Sequence, residues 1–416
     1  MRPLRVGIVG AGQRGRDAWS SALMMRPDLA EVVAVCDPNQ EHVERFRASV
    51  HNPELPAFVS LEDALASGVG LDAVIIATPD DAHIEPTQVA LAADLDVLLE
   101  KPVALTAAGV RALIQAEAAS RGRVAVAHVL RYAPAYERLN ALLAEGAIGT
   151  VRAIEHVENV GHAHFAHSYV RGPWRSTASA APMLLAKACH DLDVVRMLAG
   201  TMPDTLSSLA SARWFTFENA PAGAPEFCLD GCPAEDTCPF HAGRIYLQQY
   251  REAAWPRTVV AWPGDDASVT AALGRGPYGR CVYRSDNDVV DHQTVSMRFA
   301  SGMVASVTVT AFDARNTRET TVRGSLGTLK VCLEDGFIER TTFADGQTER
   351  LPVPASVGHS NEDAALLHKT LEAWSGHSGS LRTGLREAAD SHLMAFAAEA
   401  SRHAGGTPVA PTRLPS

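Results

Sequence analysis

The stretch LRVGIVGAGQRG, residues 4–15, constrains the fold of this 416-residue chain more than any other feature. An apolar run reaches Gly10, and Gly12 and Gly15 follow at the spacing G-x-G-x-x-G. Glycines at this spacing permit a tight turn and let a pyrophosphate approach backbone N–H groups at the start of a helix. The motif is specific when a strand precedes it and a helix follows it. The stretch therefore predicts a dinucleotide-binding βα unit.

The first 130 residues alternate between apolar runs and helix-like segments. After LRVGIVG, the apolar runs are EVVAVCD, DAVIIAT, DVLLE and RVAVAHV. Such alternation is typical of a parallel sheet that is covered by helices on both faces. We therefore expect residues 1–130 to form an N-terminal Rossmann domain within an α/β protein.

After about Tyr132 the segments become longer and alternate between polar and apolar residues, as in TVSMRFASGMVASVTVTAF. This alternation is typical of an antiparallel sheet with one open face. Two helices are predicted between Asn361 and His403. We therefore expect residues 131–416 to form a C-terminal α/β domain with a large, mostly antiparallel open sheet.

Charge and hydropathy exclude several classes of partner. The formal net charge is −11, whereas nucleic-acid binding needs clustered basic residues. No apolar run approaches the length of a membrane span, and MRPLRVGIVGAG lacks the features of a signal peptide. We therefore expect a cytoplasmic protein that binds neither nucleic acid nor a membrane.

Asp37 ends the second predicted strand, 22 residues after Gly15. A carboxylate at this point accepts hydrogen bonds from the adenosine ribose and repels a 2′-phosphate. The following DPNQEH contains no Arg or Lys to bind that phosphate, although Arg14 and Arg45 weaken the argument. The sequence therefore favours NAD over NADP.

A second motif, Glu100-Lys101-Pro102, follows the fourth predicted strand at the carboxyl edge of the sheet, where ligands bind in such folds. With the glycine motif, ATPDDAH at residues 77–83 and the two-part layout, it resembles the glucose–fructose oxidoreductase, inositol dehydrogenase and MocA family over nearly the whole chain. The segments SYVRGPWRS, AKACHDLD, CPFHAGRIYL and GPYGRCVYRSDNDVVDHQ look like an abundant bacterial branch of that family.

The resemblance implies oxidation or reduction of sugars, inositols and related polyols with NAD(P), and a homodimer or homotetramer formed through the open sheet. It also implies that Lys101 lies beside the nicotinamide and the reacting hydroxyl, where a lysine can stabilise a developing alkoxide and help to move the proton. The residues that we assign to the cofactor are Gly10, Gly12, Gln13, Arg14, Gly15, Asp37, Thr78, Pro79, His83, Glu100 and Lys101.

The stretch LLAKACHDLDVV, Leu184 to Val195, predicts one amphipathic helix with an unusual polar face. At about 100° per residue, Lys187, His190 and Asp191 share one face. The opposite apolar stripe comprises Leu185, Ala188, Leu192 and Val195. A polar face is usually only solvated, but the family resemblance implies that this face lies towards Lys101.

In many members of the family this helix carries Asp-x-x-x-His, and its histidine matches His190 as the acid/base or substrate-orienting group. The aspartate position falls on Ala186, which puts the standard assignment in doubt. Lys187 can instead bind an acidic group or hold a hydroxyl. Asp193 is expected to orient His190, with a role in helix packing as the alternative. Our predicted catalytic residues are Lys101, His190, Lys187 and Asp193.

Trp174 and Arg175 predict a substrate contact, because an aromatic ring beside a guanidinium can hold a sugar ring or an anionic group. Arg131, Asp191 and His292 are the other residues that we assign to the substrate. Turn or edge chemistry explains single residues of this kind about equally well.

Cys228, Cys232, Cys238 and His241 form a short cluster of thiol and imidazole groups, which are ligands of structural zinc. The spacing departs from common zinc-binding patterns, so reduced thiols or a disulfide are the alternative.

Three functions follow from these observations. The first is an NAD-dependent oxidoreductase that acts on a sugar, glycoside or cyclitol. The second is a glycoside-cleaving enzyme that retains NAD through oxidation, elimination and reduction. The third is a non-catalytic nucleotide-binding regulator, against which Lys101 and His190 both speak, because a regulator needs neither.

Overall fold

The N-terminal sheet has six strands, all parallel, in the order β3-β2-β1-β4-β5-β6. The computed structural model describes residues 2–178, 180–356, 360–376 and 381–414. The strands are β1 Leu4–Val9, β2 Ala30–Cys36, β3 Ala57–Phe58, β4 Ala73–Ile76, β5 Asp96–Leu99 and β6 Val124–Val126. The runs at β4 and β5 are apolar on both faces because helices cover both sides of the sheet.

The C-terminal sheet has eight strands in the order β14-β13-β12-β11-β7-β10-β9-β8. The central pair β7 and β10 is parallel, and every other neighbouring pair is antiparallel. The strands are β7 Val151–Gly161, β8 Thr205–Ser211, β9 His292–Arg298, β10 Val304–Asp313, β11 Thr317–Gly324, β12 Gly327–Cys332, β13 Phe337–Thr342 and β14 Thr348–Pro352. The predicted fold class, a Rossmann domain followed by a mostly antiparallel sheet, is confirmed.

The α-helices of the first domain start with side-chain caps where the sequence offers Asn, Ser or Thr. Asn39, Ser60 and Thr106 accept backbone N–H bonds at the starts of α2, α3 and α5. These helices are α1 Ser20–Met24, which continues a π-helical turn at Arg14–Trp19, α2 Gln40–Ser49, α3 Leu61–Ala66, α4 Ile84–Ala92 and α5 Ala107–Ala118.

The remaining helices lie around the second sheet and at its junction with the first. They are α6 Pro134–Ala144, α7 His162–Phe165, α8 Met183–Ala186, α9 Cys189–Ala199, α10 Ala254–Val260, α11 Asp266–Arg275, α12 Ser360–Trp374 and α13 Leu385–His403. Helix α13 packs on β8 and α9, whereas α12 returns to the first domain and packs on α1. Leu366, Leu367 and Leu371 of α12 belong to the core beneath the N-terminal sheet. Helices α12 and α13 therefore connect the two domains, because α12 packs on the first domain and α13 on the second.

The stretch 184–195 does not form one helix, so the predicted continuous helix is wrong. Helix α8 ends at Ala186, and α9 begins at Cys189 after Lys187 and Ala188 leave regular helical geometry. The surroundings also differ from a solvated polar face, because His190, Asp191 and Asp193 are all buried. The break lies where the chain meets the edge of the first sheet.

Among the described residues, none of the helices has both the length and the apolar composition needed to cross a lipid bilayer.

Candidate active site

The glycine loop leaves an open cradle at the end of β1. Gly10 has φ +96°, and a Cβ there would lie 2.5 Å from the carbonyl oxygen of Ala77. A Cβ on Gly15 would lie 2.1 Å from the carbonyl oxygen of Gly10, whereas a Cβ on Gly12 would meet no atom within 4 Å. Close packing therefore requires two of the glycines, and the open space at the third fits a pyrophosphate.

Asp37 lies beside this loop at the end of β2. Its carboxylate accepts N–H bonds from Ala11 and Asn39, each at 2.8 Å, and its side chain is 9% exposed. Arg45, which weakened the argument against NADP, forms an ion pair with Glu41 instead. The residues present therefore fit the pyrophosphate and the adenosine ribose of NAD.

Arg14 links the glycine loop to two other parts of the chain. Its Nε donates to Glu100 at 2.5 Å, and its two terminal nitrogens donate to Asp363 at 2.8 and 2.7 Å. Burial opposes the charge of Arg14, but the two carboxylates outweigh it and raise the pKa of the guanidinium. Gln13, by contrast, is exposed at the mouth of the cradle. Arg14 therefore positions the glycine loop in addition to any contact with the cofactor.

Residues after β4 brace the Lys101 loop. His83 is buried, with Nδ1 2.6 Å from the carbonyl oxygen of Pro102 and Nε2 3.0 Å from that of Thr78. The Thr78 hydroxyl donates to the carbonyl oxygen of Ala82 at 3.0 Å. Pro79 separates Thr78 from the short turn that follows. Of our predicted cofactor residues, His83 thus holds two loops together from below.

Lys101 reaches from the edge of the first sheet to the end of α8. Its Nζ donates to the backbone carbonyl of Ala186 at 2.6 Å, and its backbone N–H donates to Glu100 at 3.1 Å. Burial would raise the pKa of Glu100, but the nearby cations Arg14 and Lys101 lower it. The amine of Lys101 is therefore held beside the position that the resemblance gives to an aspartate.

His190 lies in a group of buried imidazoles. Its ring centroid is 5.5 Å from that of His128, which is 5.6 Å from that of His392. Burial lowers the pKa of His128 and lowers that of His392 to about 3. Because these two neighbours stay neutral at physiological pH, they add no positive charge beside His190.

Asp193 and Arg131, which we assigned to catalysis and to the substrate, pair with each other. Arg131 donates to the two carboxylate oxygens of Asp193 at 2.6 and 2.7 Å, and also to the carbonyl oxygen of Arg382. The side chain of Arg131 is 8% exposed and that of Asp193 is 1% exposed. The pair therefore holds Arg131 in the protein interior, and Asp193 fixes α9 against the segment Val129–Tyr132.

A buried cluster of charged groups surrounds the break between α8 and α9. Lys187 Nζ lies 3.2 Å from Glu158, whose other oxygen lies 2.6 Å from Arg318 Nε. Arg318 also donates to Asp191 at 2.9 Å, and Asp191 lies 2.8 Å from Nε2 of His156. Asp191, which we assigned to the substrate, is fully enclosed. Among the ion-paired side chains of this cluster, Lys187 has the largest exposed fraction, at 12%.

Aromatic side chains pack against each other near Lys187. His164 lies with its ring centroid 5.0 Å from that of Trp255, and its Nδ1 is 2.9 Å from Oδ1 of Asn316. Trp174, a predicted substrate residue, donates from Nε1 to Asp80 at 3.1 Å and thereby connects the two domains. Such rings offer flat apolar surfaces of the kind that hold sugar rings.

Two further predicted substrate residues lie at more exposed positions. Arg175 forms an ion pair with Asp286 at 2.8 Å, and 34% of its side chain is exposed. His292 is exposed at the start of β9, where its backbone pairs with Thr310 and Ser211. Neither residue is joined to Lys101 or Lys187 by the hydrogen bonds and ion pairs described above.

The predicted zinc cluster is not supported. Nε2 of His241 lies 2.8 Å from the backbone carbonyl of Cys228, so this nitrogen donates to a peptide group. Cys228, Cys232 and Cys238 are free thiols. Across the described parts of the chain, His, Cys, Asp and Glu side chains form no group of three or more that could hold a metal ion.

Glu158 and Arg318 belong to the site, but sequence reasoning missed them. Glu158 and His156 are two positions apart on β7, so both point to the helix-covered face of the sheet. Polar residues at alternating positions of an inward face are unusual, and this was the available signal. Arg318 gave no such signal, because its partners lie far away in sequence.

Comparison with known proteins agrees with this arrangement. Two family models match the chain, one for the oxidoreductase family's NAD-binding Rossmann fold over residues 4–128 and one for its C-terminal alpha/beta domain over residues 140–403. Inositol 2-dehydrogenase 4 of Saccharopolyspora erythraea is 31% identical over 223 residues, which are 53% of this chain and 61% of that relative. The 2,7-anhydro-N-acetylneuraminate hydratase of Escherichia coli is 25% identical over 268 residues, 64% of this chain and 67% of that relative.

Among solved structures, levoglucosan dehydrogenase in complex with NADH and L-sorbose superposes with a TM-score of 0.74, and the match covers 99% of each chain. Its sequence identity is 19%, so this likeness concerns the fold. The family models span both domains. The chain therefore belongs to the glucose–fructose oxidoreductase, inositol dehydrogenase and MocA family of oxidoreductases, as its motifs predict.

Proposed function

We propose that the protein is an NAD-dependent oxidoreductase that transfers a hydride between a CH–OH carbon of a sugar, glycoside or cyclitol and nicotinamide. The observation that carries this proposal is the position of Lys101 at the carboxyl edge of the first sheet, with its amine against Ala186 at the end of α8 in the second domain. A relative is named inositol 2-dehydrogenase, and a structural neighbour was solved with NADH and L-sorbose.

The cofactor residues act by position. The glycine cradle and Asp37 hold the dinucleotide, while Arg14 fixes the cradle against Glu100. When bound, the nicotinamide accepts or returns the hydride. Lys101 and His190 bind the reacting hydroxyl and stabilise its oxygen, because an ammonium and an imidazole can both hydrogen-bond an oxygen that gains negative charge. Lys187 supports them from the break between the two helices.

A panel of polyols tests this proposal. The enzyme is incubated with NAD+ and, separately, myo-inositol, levoglucosan and common hexoses, and NADH fluorescence is followed. Stoichiometric NADH formation with at least one compound is expected, and His190→Ala should abolish it. Full activity of His190→Ala would contradict the role given to this residue.

A second candidate is redox-neutral cleavage of a glycoside with retained NAD, and one structural feature favours it. Trp255 contacts His164 near Lys187, and seven residues later Trp262 stacks on Arg16 and Arg45, at 5.9 and 5.2 Å from their guanidinium carbons. The segment 255–262 thus extends from the substrate end to the adenosine side of the cofactor groove. A segment placed in this way would hinder cofactor release.

Product analysis separates the two candidates. A dehydrogenase releases NADH in proportion to product, whereas the retaining enzyme cleaves a glycoside while NADH does not accumulate. The relative named a hydratase shows that family members carry names for reactions other than dehydrogenation. Chromatography of the sugar products alongside NADH fluorescence measures both quantities.

We also propose that the open face of the C-terminal sheet forms a homodimer or homotetramer interface. Leu209 on β8 and Val304 on β10 are 64% and 52% exposed. A shallow groove of about 490 Å³ runs across β7, β8, β9 and β10 on this sheet. Val304→Glu should shift the mass measured by analytical ultracentrifugation to that of a smaller species, since a charge at an apolar interface is costly.

A further inference from the structure

Lys187 and Glu158 form an ion pair at the break between α8 and α9. Their charged atoms are 3.2 Å apart. Lys187 keeps 12% of its side chain exposed, whereas Glu158 keeps 2%. The amine can therefore meet a bound molecule, and the carboxylate can act only through the amine.

The lysine content of the chain supports a special role for this amine. The sequence contains four lysines among 37 basic residues, at positions 101, 187, 330 and 369. Lys330 and Lys369 are exposed, and the other two lie in the candidate site. Arginine does not lose its proton in proteins, whereas a buried lysine can. The chain thus uses arginine for most of its ion pairs and has lysine at two adjoining positions of the site.

Charged groups from four sides act on Lys187. Glu158 on β7 and Asp191 on α9 favour its charged form, whereas Arg318 on β11 and Lys101 oppose it. Burial is the largest influence and lowers the pKa of Lys187, and burial likewise raises the pKa of Glu158. Both changes favour a neutral amine beside a neutral carboxyl group.

The neighbouring groups of the cluster keep fixed charges. Burial alone would raise the pKa of Asp191, but Arg318 and His156 lower it, so Asp191 stays ionised. The Asp191 carboxylate in turn helps to raise the pKa of Arg318. His164, which also lies near Lys187, stays neutral because burial lowers its pKa to about 3. Lys187 and Glu158 are therefore the two groups of this cluster between which a proton can move.

We propose that Lys187 and Glu158 act together as the acceptor of the substrate's hydroxyl proton, while Lys101 serves as the fixed cation that stabilises the oxygen. This inference rests on the proposed function. Lys187 first passes one proton to Glu158. As the C–H bond pair leaves as hydride to NAD+, the substrate O–H bond breaks and its proton forms a new N–H bond on Lys187. Reduction of a ketone runs through the same steps in reverse.

In this scheme Glu158 is a positioning residue and Lys187 is a catalytic residue. Lys101 differs from Lys187 because its amine donates to a backbone carbonyl, which can take no proton. Lys101 therefore stabilises the charge on the substrate oxygen, and Lys187 accepts the proton.

Lysine labelling tests the inference without a known substrate. Whole protein is treated with acetic anhydride over a range of pH, and acetylation of each lysine peptide is measured by mass spectrometry. Lys330 and Lys369 serve as internal standards. Lys187 should reach half of its maximal labelling at least about one pH unit below these standards, because burial favours the free amine.

Glu158→Gln should move the midpoint of Lys187 labelling a further unit or so lower, since the opposite charge within about 4 Å is removed. Glu155→Gln is the matched control, because Glu155 lies on the same strand but pairs with Arg323 at the surface. It should leave the midpoint unchanged. The inference is overturned if Lys187 titrates with Lys330 and Lys369, if it never reacts, or if Glu158→Gln leaves its midpoint in place.

Lys187→Arg provides a second variant if Glu158→Gln does not fold. It keeps the positive charge but cannot release a proton, so turnover of a panel substrate should fall by about 10²-fold or more while NADH affinity is kept. Full turnover would overturn the inference. If no panel substrate reacts at all, the proposed function fails, and the labelling result still decides whether Lys187 and Glu158 are coupled.

Discussion

The amine of Lys101 donates a hydrogen bond to the backbone carbonyl of Ala186, 85 residues later in the chain, at 2.6 Å. This bond joins the edge of the parallel sheet to the end of α8 in the second domain. A backbone carbonyl accepts but has no charge, so it fixes the direction of the Lys101 side chain and leaves the ammonium able to stabilise a negative oxygen.

Lys101→Ala should therefore lower turnover of a panel substrate by about 10²- to 10³-fold, the usual effect of losing a group that stabilises a developing negative oxygen. NADH affinity should stay nearly the same, because the glycine cradle and Asp37 do not depend on this amine. Stopped assays give the turnover, and fluorescence titration gives the affinity. Lys330→Ala, at an exposed position of β12, is the control. A large loss of NADH affinity in Lys101→Ala would contradict this separation of roles.

The pair of Asp193 and Arg131 should contribute strongly to stability. Asp193→Asn leaves the buried Arg131 with only the more distant, half-exposed carboxylate of Glu387, 3.5 Å away, and losing the partner of a buried ion pair costs about 3–5 kcal/mol. Asp286→Asn is the matched control, because Asp286 pairs with the half-exposed Arg175 and such surface pairs contribute about 0–1 kcal/mol. Urea unfolding followed by circular dichroism measures the free energy of unfolding of each variant. Equal losses in the two variants would show that the first pair is not structural.

Acid should destabilise the protein well above the pKa of its carboxylates. In the folded chain the pKa of His392 is lowered from 6.5 to about 3 by burial. Between these pH values the unfolded chain binds a proton at His392 that the folded chain does not. The contribution of His392 to the free energy of unfolding is therefore fully present above pH 6.5 and is lost as the pH is lowered. His392→Gln should reduce the slope of unfolding free energy against pH by at most about 1.4 kcal/mol per pH unit.

Urea unfolding at a series of pH values between neutrality and the onset of acid unfolding measures that slope. His403→Gln is the control, because His403 is 70% exposed and should not change it. A glutamine side chain can accept the N–H bond that Val103 donates to His392, so the variant keeps one of the native contacts. An unchanged slope in His392→Gln would mean that this histidine is not held neutral by the fold.

The geometry of the glycine turn could be predicted from the sequence because its signals are local. Gly10, Gly12 and Gly15 lie within six residues, and each is explained by the turn itself or by the space above it. Asp37 follows from the length of one βα unit. The chain order of strands and helices then places the Lys101 motif at the same edge of the sheet.

The second half of the site depends on contacts between distant segments, which helical periodicity does not report. The stretch 184–195 was interpreted as one helix, but the break at Lys187 turns this side chain towards Glu158 on β7. The structure pairs the carboxylate of Asp193 with Arg131, 62 residues earlier, which the spacing within the stretch did not indicate. A pattern of spacing gave the residue types of the site but not their partners.

The segment that ends at Trp262 should slow cofactor release. Trp262 stacks on Arg16, which lies just after the glycine loop, and on Arg45 of α2. Each such contact contributes about 0.5–1 kcal/mol at an exposed site, so Trp262→Ala should speed NADH dissociation by about five- to thirtyfold. Stopped-flow fluorescence during displacement of bound NADH by excess NAD+ measures the rate. Trp214→Ala is the control, because Trp214 is similarly exposed but contacts Phe312. If Trp262→Ala releases NADH at the wild-type rate, the segment does not retain the cofactor, and the case for a redox-neutral enzyme loses its structural support.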